Sequence, residues 1–352
     1  MRIGIVAPPW LPVPPPRYGG TEAIVDRLAR GFLAAGHEVL LWTTGDSTCP
    51  VPKSWALAEA ATEHMGFDAI ELHHLVRGYR TLVEWGADIV HDHTLIGPVY
   101  SCRHPELVVV TTNHGPFDSY LSSLYRSIGE DVPIIAISHD QASRAEGVTL
   151  AGVIHHGIDL DSFPVGDGGG DEHGEYFLYL GRMAPEKGAR RAALAARQAG
   201  ARLLIAAKMI EPAEHRFFEE QVQPLLDDRV RYIGEVGGDE RLRLLQGATA
   251  LLNPIAWPEP FGLVMIEALA SGTPVLAFPN GSVPEIVDHG ITGFHCTDVD
   301  DLAARLGDAG ALDRAACRDA AERRFSTQRM VTDHLALFER VVADRDRRRV
   351  GT

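Results

Sequence analysis

Positive charge is scarce in this chain. Its 352 residues carry 33 lysines and arginines against 48 aspartates and glutamates, a formal net charge of -15. Neither half is basic, which argues against nucleic acid as a partner and disfavours peripheral docking on anionic lipid. Cysteine is sparse too. Cys49, Cys102, Cys296 and Cys317 lack the spacing of a metal site and read as reduced thiols of a cytoplasmic protein. No apolar run approaches membrane-spanning length, and the run at residues 3–7 is too short for a signal peptide. The first loop lacks G-x-G-x-x-G, which disfavours an NAD-dependent oxidoreductase. What the chain does have is 35 glycines and 45% apolar residues, a composition suited to α/β architecture, and enough length for two domains.

Short runs at 3–7, 39–43, 88–91, 108–112, 134–137 and 151–155 read as strands, alternating with helical spacing such as Ile24, Leu28 and Phe32. A second series follows at 176–180, 203–207, 230–233, 250–253 and 274–278. Such runs suit parallel strands buried on both faces. Between the two series, V-G-D-G-G-G-D-E-H-G-E at 165–175 has the composition of a flexible linker. Ser326 stands as the cap of a last amphipathic helix carrying Met330, Leu335, Phe338 and Val341, and the charged tail 344–349 is expected to fray.

The most informative stretch is 257–273, W-P-E-P-F-G-L-V-M-I-E-A-L-A-S-G-T. Two prolines stiffen a loop before a helix that starts near Gly262. The backbone N–H groups of Phe261, Gly262, Leu263 and Val264 then form a helix N-terminus, a ready anion site. Glu259 precedes it. Glu267 is the one charge inside an apolar helix, and a carboxylate there needs a polar partner: a ligand hydroxyl, or solvent on an exposed face. Gly181-Arg182-Met183-Ala184-Pro185-Glu186-Lys187-Gly188 puts two cations at a strand end and a helix start, where they can converge on a diphosphate or simply be solvated. Lys208 closes the next strand as a third phosphate cation or a salt-bridge partner.

In the first half, a proline-rich loop from residue 8 to 17 leads through Tyr18 to Gly19, Gly20 and Thr21 at a helix N-terminus. This pattern suits either close approach to a phosphate or an ordinary loop-to-helix turn. His91, His93 and His114 stand at strand ends without metal spacing, and structural hydrogen bonding is the plain alternative. D-x-D triplets occur at Asp159/Asp161 and Asp298/Asp300, neither directly after a clear strand run.

The seven-residue gap between Glu259 and Glu267 in E-P-F-G-x4-E-A, together with G-R-x-x-x-E-K-G, resembles the E-x7-E signature of retaining nucleotide-sugar glycosyltransferases of the GT-B fold, specifically glycosyltransferase family four. The resemblance covers nearly the whole chain. It implies an α/β protein of two Rossmann-like, doubly wound domains facing a central cleft. Residues 1–165 would form the acceptor-side domain and 176–327 the nucleotide-sugar domain, with a C-terminal helix at about 328–345 crossing back to the first. Arg182 and Lys187 would meet the diphosphate, with Gly181 and the 261–264 amides beside them. Glu259 would orient the sugar, Glu267 would hold the ribose, and His114 would contact the donor sugar. Gly19, Gly20 and Thr21 would lie near phosphates and acceptor, and 234–238 near the base. His91 and His93 are left as acceptor-side candidates, and acceptor pockets would come from loops 8–20, 44–66 and 113–130. His156 replaces a usual Asn and Ser282 a usual Gly.

The implied activity is hexosyl transfer with retention from a nucleoside-diphosphate sugar, with UDP- and GDP-sugars favoured, to a hydroxyl acceptor. It would need no cofactor and no metal. The competing readings are a catalytically silent nucleotide-sugar-binding protein and a GT-B sugar-nucleotide epimerase or hydrolase.

Overall fold

The computed structural model describes residues 1–16, 19–129 and 132–350. Arg17 and Tyr18, at the end of the proline-rich loop, and Glu130, in the third acceptor-side loop, lie outside the described residues. The chain forms two compact units, Met1–Gly157 with Thr327–Thr352, and Ile158–Ser326.

The first unit is built on β1 (Arg2–Val6), β2 (Glu38–Thr43), β3 (Lys53–Trp55), β4 (Ile89–Asp92), β5 (Val109–Thr112), β6 (Ile134–Ala136) and β7 (Leu150–Val153). They pair in the order β3-β2-β1-β4-β5-β6-β7, every pair parallel. Ile3, Ile5, Ile89 and Val90 are fully buried, as parallel strands between two helical layers require. The helix Thr327–Val350 packs on the helix Gly20–Ala34, with Phe338 against Phe32 at 5.4 Å. Gly31 permits the approach, since a Cβ there would meet Val331 Cγ2 at 2.3 Å. The expected frayed tail is helical instead, and Asp344 and Arg347 pair within it, one turn apart. The expected loop 113–130 also contains the helix Ser119–Ile128, whose start is capped by Asp118 accepting from the Leu121 N–H at 2.8 Å.

The second unit holds β8 (Phe177–Arg182), β9 (Leu203–Lys208), β10 (Val230–Gly234), β11 (Ala250–Asn253), β12 (Val275–Ala277) and β13 (Gly293–His295). These are parallel in the order β10-β9-β8-β11-β12-β13. Residues 158–165, expected with the first domain, group with this unit. The Ile158 N–H donates to the Phe325 carbonyl at 2.8 Å, and Arg318 donates to the carbonyls of Leu160 and Phe163.

The glycine-rich stretch 165–175 is not a flexible linker. The N–H groups of Gly166, Gly168 and Gly170 donate to the carbonyls of Ser271, Gln246 and Gly247 at 2.9–3.0 Å. Asp171 accepts from both terminal nitrogens of Arg202 at 2.7 Å. Arg314 locks the arrangement by donating to the carbonyls of Gly166, Gln246 and Ala248 and to the Thr273 hydroxyl, at 2.8–3.0 Å. Composition suggested flexibility because it shows the glycines but not the carbonyls they meet. Arg314→Ala strands several of these acceptors and is expected to cost about 3 kcal/mol of unfolding free energy. Urea titration checks this, and an unchanged midpoint would refute the locking role.

In each sheet the strand order reverses once, between β1 and β4 and between β8 and β11. Open α/β sheets bind ligands beyond the carboxyl ends of the strands at such a point. The loops after β1 and β4, and those after β8 and β11, are therefore where chemistry is expected in each unit.

Candidate active site

In the second unit, the loops after β8 and β11 bring the two strongest motifs together. Lys187 Nζ donates to Glu259 Oε2 at 2.5 Å, across 72 residues of sequence, with both side chains largely buried. The ammonium also lies 5.1 Å from the centre of the Trp257 indole. The expected phosphate cation and the expected sugar-binding carboxylate are thus each other's partner in the unliganded protein. Arg182 ends β8 beside Lys208, its register partner at the end of β9. Its guanidinium lies between two carboxylates, Glu186 at 3.0 Å through Nη2 and Glu214 at 3.3 Å through Nε. That leaves Nη1 without a partner among the described residues. Glu214 is itself buried and caps its own helix, its other oxygen accepting from the Ile210 and Glu211 N–H groups.

The helix after Glu259 runs Leu263–Ala270. Gly262 caps it in the left-handed region, φ 83°, which is why glycine stands there. Among the described residues the amides of Gly262, Leu263 and Val264 find no protein acceptor, so they remain available to an anion. The Phe261 side chain is not at the surface. It is buried, edge-on to Phe325 at 6.0 Å, and anchors the loop. Ser282 donates its hydroxyl to the Phe261 carbonyl, and its own N–H bonds the Glu259 carbonyl at 3.1 Å. The serine that departs from the usual glycine therefore braces the loop carrying Glu259.

Glu267 is neither exposed nor alone. Its carboxylate meets Arg241 of the helix Gly238–Gly247 at 3.2 Å. The polar partner demanded by its burial is thus supplied by the protein, from a residue no sequence motif marked. Of the D-x-D aspartates, Asp298 caps the helix Val299–Ala309 by accepting from the Asp301 N–H at 2.8 Å.

In the first unit, Gly19 precedes and Gly20 opens the helix Gly20–Ala34, with Thr21 in its first turn. The histidines after β4 and β5 gather with two others. His93 Nδ1 lies 2.8 Å from His114 Nε2. The His91 and His93 ring centres are 4.0 Å apart, His156 stacks on His114 at 5.1 Å, and His334 approaches His91 at 5.0 Å. Burial lowers all of their pKa values, to about 3 for His114 and about 4 for His334, and well below the ordinary value for His91, His93 and His156. For His91, His93, His114 and His156 neighbouring rings push the same way, so the cluster is neutral near pH 7. Among the described residues no three of these rings bring nitrogens within 4.8 Å of one another. His156 and His114 stack, and the other ring pairs are tilted by 32–49°. His91 and His93 were acceptor-side candidates. Both are buried, and His91 Nε2 lies 2.7 Å from the Thr112 hydroxyl.

Two doubly wound parallel sheets in series are the GT-B arrangement. A glycosyltransferase involved in avilamycin A biosynthesis, AviGT4, superposes with a TM-score of 0.72 at 26% identity, covering 97% of this chain and 98% of that one. Sucrose-phosphate synthase from Thermosynechococcus elongatus shares the fold at a TM-score of 0.81 and 22% identity, over 97% and 99% of the two chains. The protein is a glycosyltransferase of the family-four type: residues 18–162 match the model described as Glycosyltransferase Family 4, and residues 167–323 the model described as Glycosyl transferases group 1. Among characterised relatives, glycogen synthase of Mycobacterium tuberculosis is 27% identical over 95% of this chain and 91% of its own length. D-inositol 3-phosphate glycosyltransferase of Mycolicibacterium vanbaalenii is 28% identical over 84% and 71%. No helix among the described residues is long and apolar enough to cross a membrane.

Proposed function

We propose that this glycosyltransferase moves a hexosyl group from a nucleoside-diphosphate sugar to a hydroxyl acceptor with retention of anomeric configuration. The observation that carries the reading is the Lys187–Glu259 pair, set beside the free amides of Gly262, Leu263 and Val264 at the switch point of the second sheet. A diphosphate arriving there offers Lys187 a second anionic partner and draws on unused donors, including Arg182 Nη1. Glu259, released in part from the lysine, accepts from sugar hydroxyls and orients the ring. Glu267 takes the ribose hydroxyls, with Arg241 holding its carboxylate. In the first unit, His114 offers a neutral ring nitrogen to a sugar oxygen. The similarity to an Anabaena protein, HepE, solved with UDP-glucose, lends support at the level of fold, with a TM-score of 0.74 and 18% identity.

In this reading the bond from C1 to the diphosphate oxygen breaks while the acceptor oxygen bonds C1 on the same face. The departing diphosphate takes the acceptor's proton. Positioning and charge stabilisation supply the rate, and the diphosphate charge is met by Arg182, Lys187 and backbone amides, so no metal is assigned. The test is a thermal-shift panel of UDP-, GDP-, ADP- and TDP-sugars with and without EDTA, followed by NMR of the product's anomeric centre. Stabilisation by one nucleotide class, indifferent to EDTA, and a retained anomer are expected. An inverted product, or turnover abolished by EDTA, would overturn the mechanism.

Glu267→Ala is expected to weaken binding of the free nucleotide by roughly 1–3 kcal/mol, the worth of charge-assisted bonds to hydroxyls. Calorimetry reads this directly, and unchanged affinity would assign Glu267 to Arg241 alone.

A further inference from the structure

We propose that His93 is a positioning residue that fixes the ring tautomer of His114, so that His114 presents an Nδ1–H donor and not a lone pair. His93 Nδ1 and His114 Nε2 are 2.8 Å apart, so one proton lies between them, and either ring can own it. The choice is made at the far side of His93. That residue is 4% exposed, and its ring Nε2 is buried without a partner among the described residues. A neutral imidazole has a single N–H. If His93 carried it on Nε2, a buried donor would have no acceptor. If it carries it on Nδ1, the donor is satisfied by His114 and only a lone pair goes unmatched. Buried N–H groups without acceptors are the rarer and costlier case. The proton between the rings therefore belongs to His93, and His114 Nε2 accepts it.

The proton of His114 must then sit on Nδ1. That nitrogen bonds to no described residue and is not among the buried unsatisfied atoms, so it remains open to solvent. The surroundings hold both rings in place. The backbone N–H of His93 donates to the Val6 carbonyl at 3.0 Å, tying the residue to the switch point of the first sheet. Asp92 beside it accepts from the Thr94 N–H, the Thr94 hydroxyl and the Tyr79 hydroxyl, each at 2.7 Å, and fixes the turn that follows. His156 stacks on His114 with its ring plane inclined by 23°. The consequence is selective. His114 rewards a ligand atom that accepts a hydrogen bond, such as a sugar hydroxyl oxygen, and offers nothing to one that can only donate. This last step rests on the proposed transfer reaction, whereas the tautomer does not.

The experiment is long-range proton–nitrogen NMR of ligand-free protein labelled with nitrogen-15 histidine at about pH 7.5, where an unperturbed imidazole is neutral. His114 is assigned by the signal lost in His114→Gln. The expected wild-type state is Nδ1–H with a bare Nε2, and the reverse pattern overturns the proposal without any variant. His93→Asn places an amide donor near the position of Nδ1 and is expected to preserve the state. His93→Asp offers only an acceptor and is expected to move the His114 proton to Nε2. With a donor sugar in hand, kcat/KM is expected to fall about tenfold further in His93→Asp than in His93→Asn, the worth of one hydrogen bond. Equal losses in the two variants would reduce His93 to packing. The expected tautomer in a protein that turns over no donor would instead defeat the transfer reading alone.

Discussion

Lys187→Ala lowers turnover by about 10²-fold or more while leaving the fold intact, as expected for loss of a preorganised donor to developing charge. The structure adds a second component. Lys187 Nζ is the 2.5 Å partner of Glu259, so its removal also leaves a largely buried carboxylate unpaired. An unpaired carboxylate in the path of a diphosphate repels it, which predicts a rise in the donor's KM alongside the fall in kcat. Because the two residues share one interaction, Lys187→Ala combined with Glu259→Gln should cost less than the sum of the single changes. Steady-state kinetics with the donor identified by thermal shift measures all three. Near-normal turnover in Lys187→Ala would remove the phosphate role. Strict additivity would show that the ion pair is incidental to the resting state.

The first unit loses stability steeply as pH falls from about 6.5 toward 4. Histidine in the unfolded chain titrates near 6.5, whereas His114 is held to about 3, His334 and His74 to about 4, and His91, His93 and His156 lower than the ordinary value. In that window the unfolded state binds protons that the native state refuses. Stability therefore rises with pH, at about 1.4 kcal/mol per pH unit for each ring that stays neutral. Asp92 works the other way. Burial raises it from 3.8 to about 6, so the native state keeps a proton that the unfolded chain releases, and Glu71 is raised in the same sense. Six histidines against two carboxyls leave the balance with the histidines. Urea midpoints measured across the window check this, and a midpoint that stays level between about pH 6.5 and 5 would mean that the cluster accepts protons when folded.

The covered strands were legible because they are apolar. All eleven strand-like runs correspond to strands in the structure, since a parallel strand between helical layers must be apolar throughout. The two that escaped, Lys53–Trp55 and Gly293–His295, are short and lie at sheet edges, where one side lacks a neighbour and no continuous apolar run is required. The candidate site stretches stood out for a related reason. Glycine, proline and charge at strand ends break the apolar pattern, and those ends lie where the ligand loops emerge.

Partnership was not legible. Nothing near Lys187 names Glu259, nothing near Glu267 names Arg241, and nothing near Arg182 names the buried Glu214. Each pairing depends on which strands become neighbours, and the reversal between β8 and β11 brings residues 187 and 259 together. The same holds for the glycine-rich segment after Pro164, flexible by composition and fixed by the guanidinium of Arg314. The sequence by itself determined the alternating α/β plan, its two halves and the cations and glycines that stand at strand ends, because local pattern and chemistry are carried by neighbours along the chain. Only the tertiary structure decided which charges neutralise one another and which histidines are buried against one another, because those depend on contacts between residues far apart in sequence.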